Sequence, residues 1–154
     1  MNVKPITSIS KDVEVLLQQS RQYMAELYPA DSIHQEDTGR LLEPDVYFIG
    51  VYLERALMGV GAVKKFDSSP RYGEIKNLFV DPEYRGRGLS RLIMDALEQH
   101  LVDQQITICR LETGVSQPES ISLYRSLGYH ERTSFGGYKL DPLSIFMQKN
   151  LDTD

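Results

Sequence analysis

Apolar positions recur along this chain with two different periods, and the switches between them mark out its elements. Alternation or short apolar runs predict strands at residues 3–6, 46–53, 57–65, 72–80, 106–113, 129–135 and 144–149. Spacings of three and four predict helices. The first covers residues 11–27, where Val13, Leu16, Leu17, Tyr23, Met24 and Leu27 fall mostly on one face. The second follows Gly88 and carries Leu89, Leu92, Ile93, Ala96, Leu97 and Leu101, and a short third covers residues 117–127. Pro29, Gly39 and Pro44 punctuate residues 28–44, which read as irregular or as holding a short helix. The short Glu54-Arg55 link predicts a hairpin between the second and third strands.

This order implies an α/β (α+β) fold with a mixed sheet. The early hairpins pair antiparallel, while a strand between two helices after residue 88 implies local parallel pairing and a right-handed crossover. No linker or repeat interrupts the 154 residues, so one domain spanning residues 1–154 is expected. Net charge is −5, which argues against nucleic acid as the main partner. No apolar run reaches the length of a membrane span, and the N-terminus lacks the apolar stretch of a secretion signal, so a cytoplasmic protein is expected. The lone Cys109 sits in an apolar strand pattern and reads as a core residue rather than a nucleophile.

Residues 78–90 are the most informative segment. Leu78, Phe79 and Val80 end a strand, Asp81-Pro82 makes a tight turn, and Arg85-Gly86-Arg87-Gly88 leads into Leu89, Ser90 and the second helix. A helix start leaves backbone N–H groups without intrahelical partners, and two glycines clear side chains from the approach. With the helix dipole and two arginines, this is a place to hold phosphate. A dinucleotide fingerprint would need glycine where Arg91 stands, and a Walker loop would need Lys-Ser/Thr after Gly88, where Leu89 and Ser90 stand.

The segment resembles the acyl-CoA loop of the GNAT N-acetyltransferase superfamily. Arg85, Gly88 and Ser90 fill that pattern, Ser90 being a departure at its last position. The element order is that of the acyl-CoA N-acyltransferase fold, whose central sheet is mostly antiparallel with about seven strands. A second stretch, Gln117 to Tyr129, is similar to the family's later motif: Leu123-Tyr124 and Gly128-Tyr129 match, while Gln117 and Ser120 replace Asn and Ala. Ser116, with Glu119 three residues on, also has capping-box spacing, and Gly128 suits a left-handed helix end.

The resemblance implies acetyl-CoA as co-substrate, held by residues 78–80 and 85–90 with Gln117 and Tyr124 nearby, and no metal. His34, His100 and His130 are scattered, without metal-ligand spacing. It implies direct transfer: an amine attacks the thioester, a backbone N–H near residues 78–80 stabilises the oxyanion, and Tyr124 serves the leaving thiolate. Glu74 is the first candidate base, Glu112 the second, and ordered water the third. An acyl-CoA-binding or sensing domain, or transfer to a protein N-terminus or lysine, stands as the rival reading.

The acceptor pocket is expected in residues 28–44 and 135–142, with Tyr28, Glu112, Phe135 and Tyr138 as substrate candidates beside His34, Arg40 and Lys139. Aromatics between two short loops suit a small-molecule amine; a homodimer stays open. Tyr138 and residues 141–147 are similar to a bacterial subgroup often labelled indole-acetate acetyltransferase, a label that does not establish a substrate.

Overall fold

Alternating apolar residues give each strand one face for each side of a central sheet. In the computed structural model, which describes residues 1–151, the strands are β1 (Asn2–Pro5), β2 (Val46–Leu53), β3 (Ala56–Phe66), β4 (Tyr72–Val80), β5 (Ile108–Gly114), β6 (His130–Arg132) and β7 (Ser144–Asn150). They form one seven-stranded sheet in the order β1-β2-β3-β4-β5-β7-β6. Every pairing is antiparallel except that of β4 with β5.

Helix α1 (Lys11–Leu27) is capped by Ser10, whose hydroxyl accepts from the Val13 N–H at 3.3 Å. It buries Val13, Leu16 and Leu17 with Phe48, Val60, Ala62 and Phe79 on one side of the sheet. Helix α2 (Leu89–Asp103) lies on the other, burying Ile93, Met94, Leu97 and Leu101 with Met58, Ile75, Cys109 and Leu111. Tyr124 of α3 (Pro118–Ser126) joins that second cluster. Full burial of each large aliphatic contributes about 1.5–3 kcal/mol, so these two clusters hold the layers together.

Two irregularities make room for a site. The parallel contact between β4 and β5 is registered only at Gly73 with Cys109 and Glu74 with Arg110; beyond it the strands diverge. In addition, β4 bulges. Val60 pairs with Phe79 and Ala62 with Lys76, so Asn77 and Leu78 oppose the single residue Gly61. Asn77 absorbs the extra length in a left-handed conformation, with φ of 55°.

The segment 28–44 is irregular and holds two short 3-10 helices, Ala30–Ser32 and Arg40–Leu42, as expected. Other expectations shift. Strand β6 is only three residues long, because the chain leaves β7 after Arg132 to bury Phe135 against Tyr72 and Phe146. The capping box at Ser116 does not form. Gln117 occupies the N-cap of α3 without a side-chain bond, and the Ser116 N–H goes instead to the Tyr28 hydroxyl at 3.1 Å. Pro118 and Gly128 behave as expected, in the first turn and at φ of 100°.

Candidate active site

The loop between β4 and α2 is built from local chemistry. The Asp81 carboxylate accepts from the Glu83 N–H at 3.0 Å and turns the chain out of β4. Gly86 and Gly88 follow at φ of 81° and 75°, and an added Cβ at either would meet nothing within 4 Å. Backbone conformation, not crowding, therefore selects glycine here. Gly88 caps α2 without a side chain, which leaves the first N–H groups of a 15-residue helix facing outward. Arg85 folds back, its Cζ 5.6 Å from the Phe79 ring and 5.7 Å from the Tyr23 ring, while Arg87 lies over Tyr84.

The diverging strands open a cavity of about 580 Å³. On the α2 side it is lined by Gly88, Ser90, Gln117, Leu123 and Tyr124. On the α1 side it is lined by Tyr23, His34, Glu74, Lys76, Glu112 and Tyr138. Residues from both faces of the sheet share one space, so the slot between β4 and β5 crosses the sheet.

Tyr124 reaches the slot from α3. It is buried, which pushes its phenol up, and among the described residues its hydroxyl has no hydrogen-bond partner. Glu112 faces the slot from β5. Burial pushes its carboxyl up to about 7, with nearby Glu74 and Asp141 adding to the rise and the Ser144 hydroxyl and Lys76 opposing it. Glu74 is buried rather than exposed at the strand start. Its carboxylate accepts from the Tyr138 hydroxyl and, at 3.3 Å, from Lys76 Nζ. Lys76 also donates to the His34 carbonyl at 2.7 Å and to Tyr138 at 3.0 Å. Burial pushes the Tyr138 phenol up, and the adjacent Glu74 pushes it further.

Two loops meet at the α1-side mouth. Ser32 donates to Asp141 at 2.6 Å, and the His34 and Tyr138 rings meet edge to face at 4.9 Å. Burial, with Lys76 nearby, lowers the His34 pKa.

Two substrate candidates stand outside the cavity lining. The Tyr28 hydroxyl accepts from Ser116 and donates to Gln117 Oε1 at 3.1 Å, tying the end of α1 to the start of α3. A Cβ on Gly114 would overlap that hydroxyl. Phe135 is buried in the aromatic cluster with Tyr72 and Phe146. Arg40 and Lys139 are exposed and also absent from the lining. Lys76 and Asn77 were not anticipated. The signal for Lys76 was its two-residue spacing from Glu74, which puts opposite charges on one face of an otherwise apolar strand. Among the described residues no group of His, Cys, Asp or Glu could hold a metal ion.

Residues 12–129 match the profile of the acetyltransferase (GNAT) family. The chain belongs to that family and is a GNAT N-acetyltransferase. It is 38% identical over 136 residues to an IAA acetyltransferase of Azospirillum brasilense, covering 88% of both chains. It is 28% identical to a Klebsiella pneumoniae protein assigned as an acyl-CoA N-acyltransferase, with a TM-score of 0.80 and coverage of 98% and 97%. The PaiA N-acetyltransferase of Thermoplasma acidophilum, solved with coenzyme A, shares the fold at 19% identity, with a TM-score of 0.74 and coverage of 97% and 99%.

Proposed function

We propose that this protein transfers the acetyl group of acetyl-CoA to the amine of a small, amino-acid-like acceptor, by direct attack on the thioester. The observation that carries this reading is the slot through the sheet, with Glu112 and Tyr124 both on its wall and a phosphate-suited loop at one mouth. The pyrophosphate lies on the N–H groups of residues 86–90, and the pantetheine runs along Leu78, Phe79 and Val80. The amine enters from the mouth flanked by the His34 and Tyr138 loops.

Glu112 is the base favoured over Glu74. A base works best with a pKa near the working pH, and Glu112 sits at about 7. The Glu74 carboxylate is already committed to Tyr138 and Lys76, and it serves as a positioning group. The amine nitrogen bonds to the carbonyl carbon and gives a proton to Glu112, while the carbonyl oxygen takes the negative charge beside a backbone N–H of the bulged strand. Collapse breaks the C–S bond and expels the CoA thiolate. Tyr124, whose raised pKa keeps it protonated, hydrogen-bonds the departing sulfur, and water completes its protonation.

The two loops at the α1-side mouth, tied by Ser32 with Asp141 and by the His34 and Tyr138 rings, support a small acceptor. The cavity volume lies within the range of small-molecule sites. Thiol release from acetyl-CoA across amino acids, polyamines, aminoglycosides and short peptides tests the reading. Small amines should dominate. Peptides turned over far better would overturn the acceptor class, and release that no amine stimulates would leave a binding domain.

A further inference from the structure

One of the links between β4 and the loop of residues 34–36 runs through a residue that neither half of the proposed reaction uses. Asn77 sits at the bulge of β4, beside the backbone of Leu78. Its side chain reaches the loop that carries His34 and Gln35, both in the cavity wall. Oδ1 accepts from the Glu36 N–H at 2.9 Å, and Nδ2 donates to the Glu36 carbonyl at 3.2 Å. One amide thus satisfies both backbone groups of a loop residue 41 positions away, as a neighbouring strand would. Asparagine is also among the non-glycine residues that best tolerate the φ of 55° found there.

We propose that Asn77 is a positioning residue that couples the two substrates. Cofactor bound along residues 78–80 holds the bulge, and the bulge, through Asn77, holds residues 34–36 as the acceptor wall. A loop ordered by one ligand costs the second less to order, so cofactor and acceptor strengthen each other's binding, reciprocally. The inference rests on the proposed path of the pantetheine along residues 78–80. Lys76 and Lys64 also fasten this loop, to the His34 carbonyl and the Glu36 carboxylate, but neither lies in the bulge itself.

Asn77→Gly separates the clamp from the backbone. Glycine adopts the same φ without cost, so the bulge and the fold survive while the side-chain bonds go. Amide hydrogen exchange, read with and without coenzyme A, is the measurement. In the unaltered protein, coenzyme A should slow exchange at residues 78–80 and also, at least about fivefold, at Glu36. In Asn77→Gly it should still protect residues 78–80, but its effect at Glu36 should fall below about twofold. Asn77→Asp, which keeps only the bond from the Glu36 N–H, should respond in between. Full coenzyme A-dependent protection of Glu36 in Asn77→Gly would overturn the coupling. Absence of protection at residues 78–80 in the unaltered protein would instead overturn the cofactor path.

Discussion

The hydroxyl of Tyr138 donates to the carboxylate of Glu74, joining the loop between β6 and β7 to the middle of the sheet. Lys76 completes this unit, and the Lys76 and Glu74 side chains are only 9% and 4% exposed. Charges this deep are tolerable because each is paired and hydrogen-bonded.

Removing one charge should therefore cost more than removing the latch. Glu74→Ala leaves the Lys76 ammonium without its carboxylate and should destabilise by about 3 kcal/mol. Tyr138→Phe keeps the ion pair and should cost only about 1–2 kcal/mol. Urea denaturation of both variants checks the order, and equal losses would contradict it.

Glu112→Gln should abolish most turnover and flatten the pH profile. In the unaltered enzyme kcat/KM should rise with pH through about 7 as Glu112 loses its proton. Stability should move the other way. A carboxyl whose folded pKa is raised binds more protons folded than unfolded, so its contribution weakens as pH rises from about 4.5 to about 7. The variant should melt higher than the unaltered protein at pH 8, and this gain should vanish near pH 4. Rate profiles and melting curves at both pH values read the two effects separately.

Tyr124→Phe removes one hydroxyl that has no partner among the described residues, so folding and coenzyme A binding should survive. Turnover should drop by about 10²-fold. Steady-state kinetics with calorimetry for coenzyme A decides: a change confined to KM would reduce Tyr124 to positioning.

Gly114→Ala tests the tie between α1 and α3. The added methyl would take the place of the Tyr28 hydroxyl, displacing its bonds to Ser116 and Gln117. A loss of about 1–3 kcal/mol is expected from overpacking and two broken bonds. Tyr28→Phe, which loses only the bonds, should cost less in the same thermal measurement.

Legibility in the sequence followed the range of the interactions. The turn at Asp81-Pro82, the glycines at 86 and 88 and the end of α3 at Gly128 were readable because each is set by neighbours a few residues away. The bulge at Asn77 was not, since it exists only in register with Gly61 on another strand. Glu74 and Glu112 were visible as candidates. Their surroundings were not, because Tyr138 and Lys76 occupy the Glu74 carboxylate while burial raises that of Glu112. Tyr28 and Phe135 drew notice as loop aromatics, but an aromatic between loops can face a ligand or the core. Their contacts are to partners far along the chain, Gln117 and Phe146.

The brief parallel contact of β4 with β5 has a consequence for how this enzyme can change. On the α2 face, residues of both strands enter one cluster, Ile75 and Leu111 together with Ile93. On the opposite face the packing is divided: Phe79 lies with α1 in one cluster, and Tyr72 lies with Phe135 and Phe146 in another. A substitution in the shared layer is felt by both sides of the slot, whereas one in either separate cluster shifts a single wall. If the acceptor enters as proposed, substitutions in the β6–β7 loop and the residues beneath it would reshape its wall while leaving the α1 cluster as it stands.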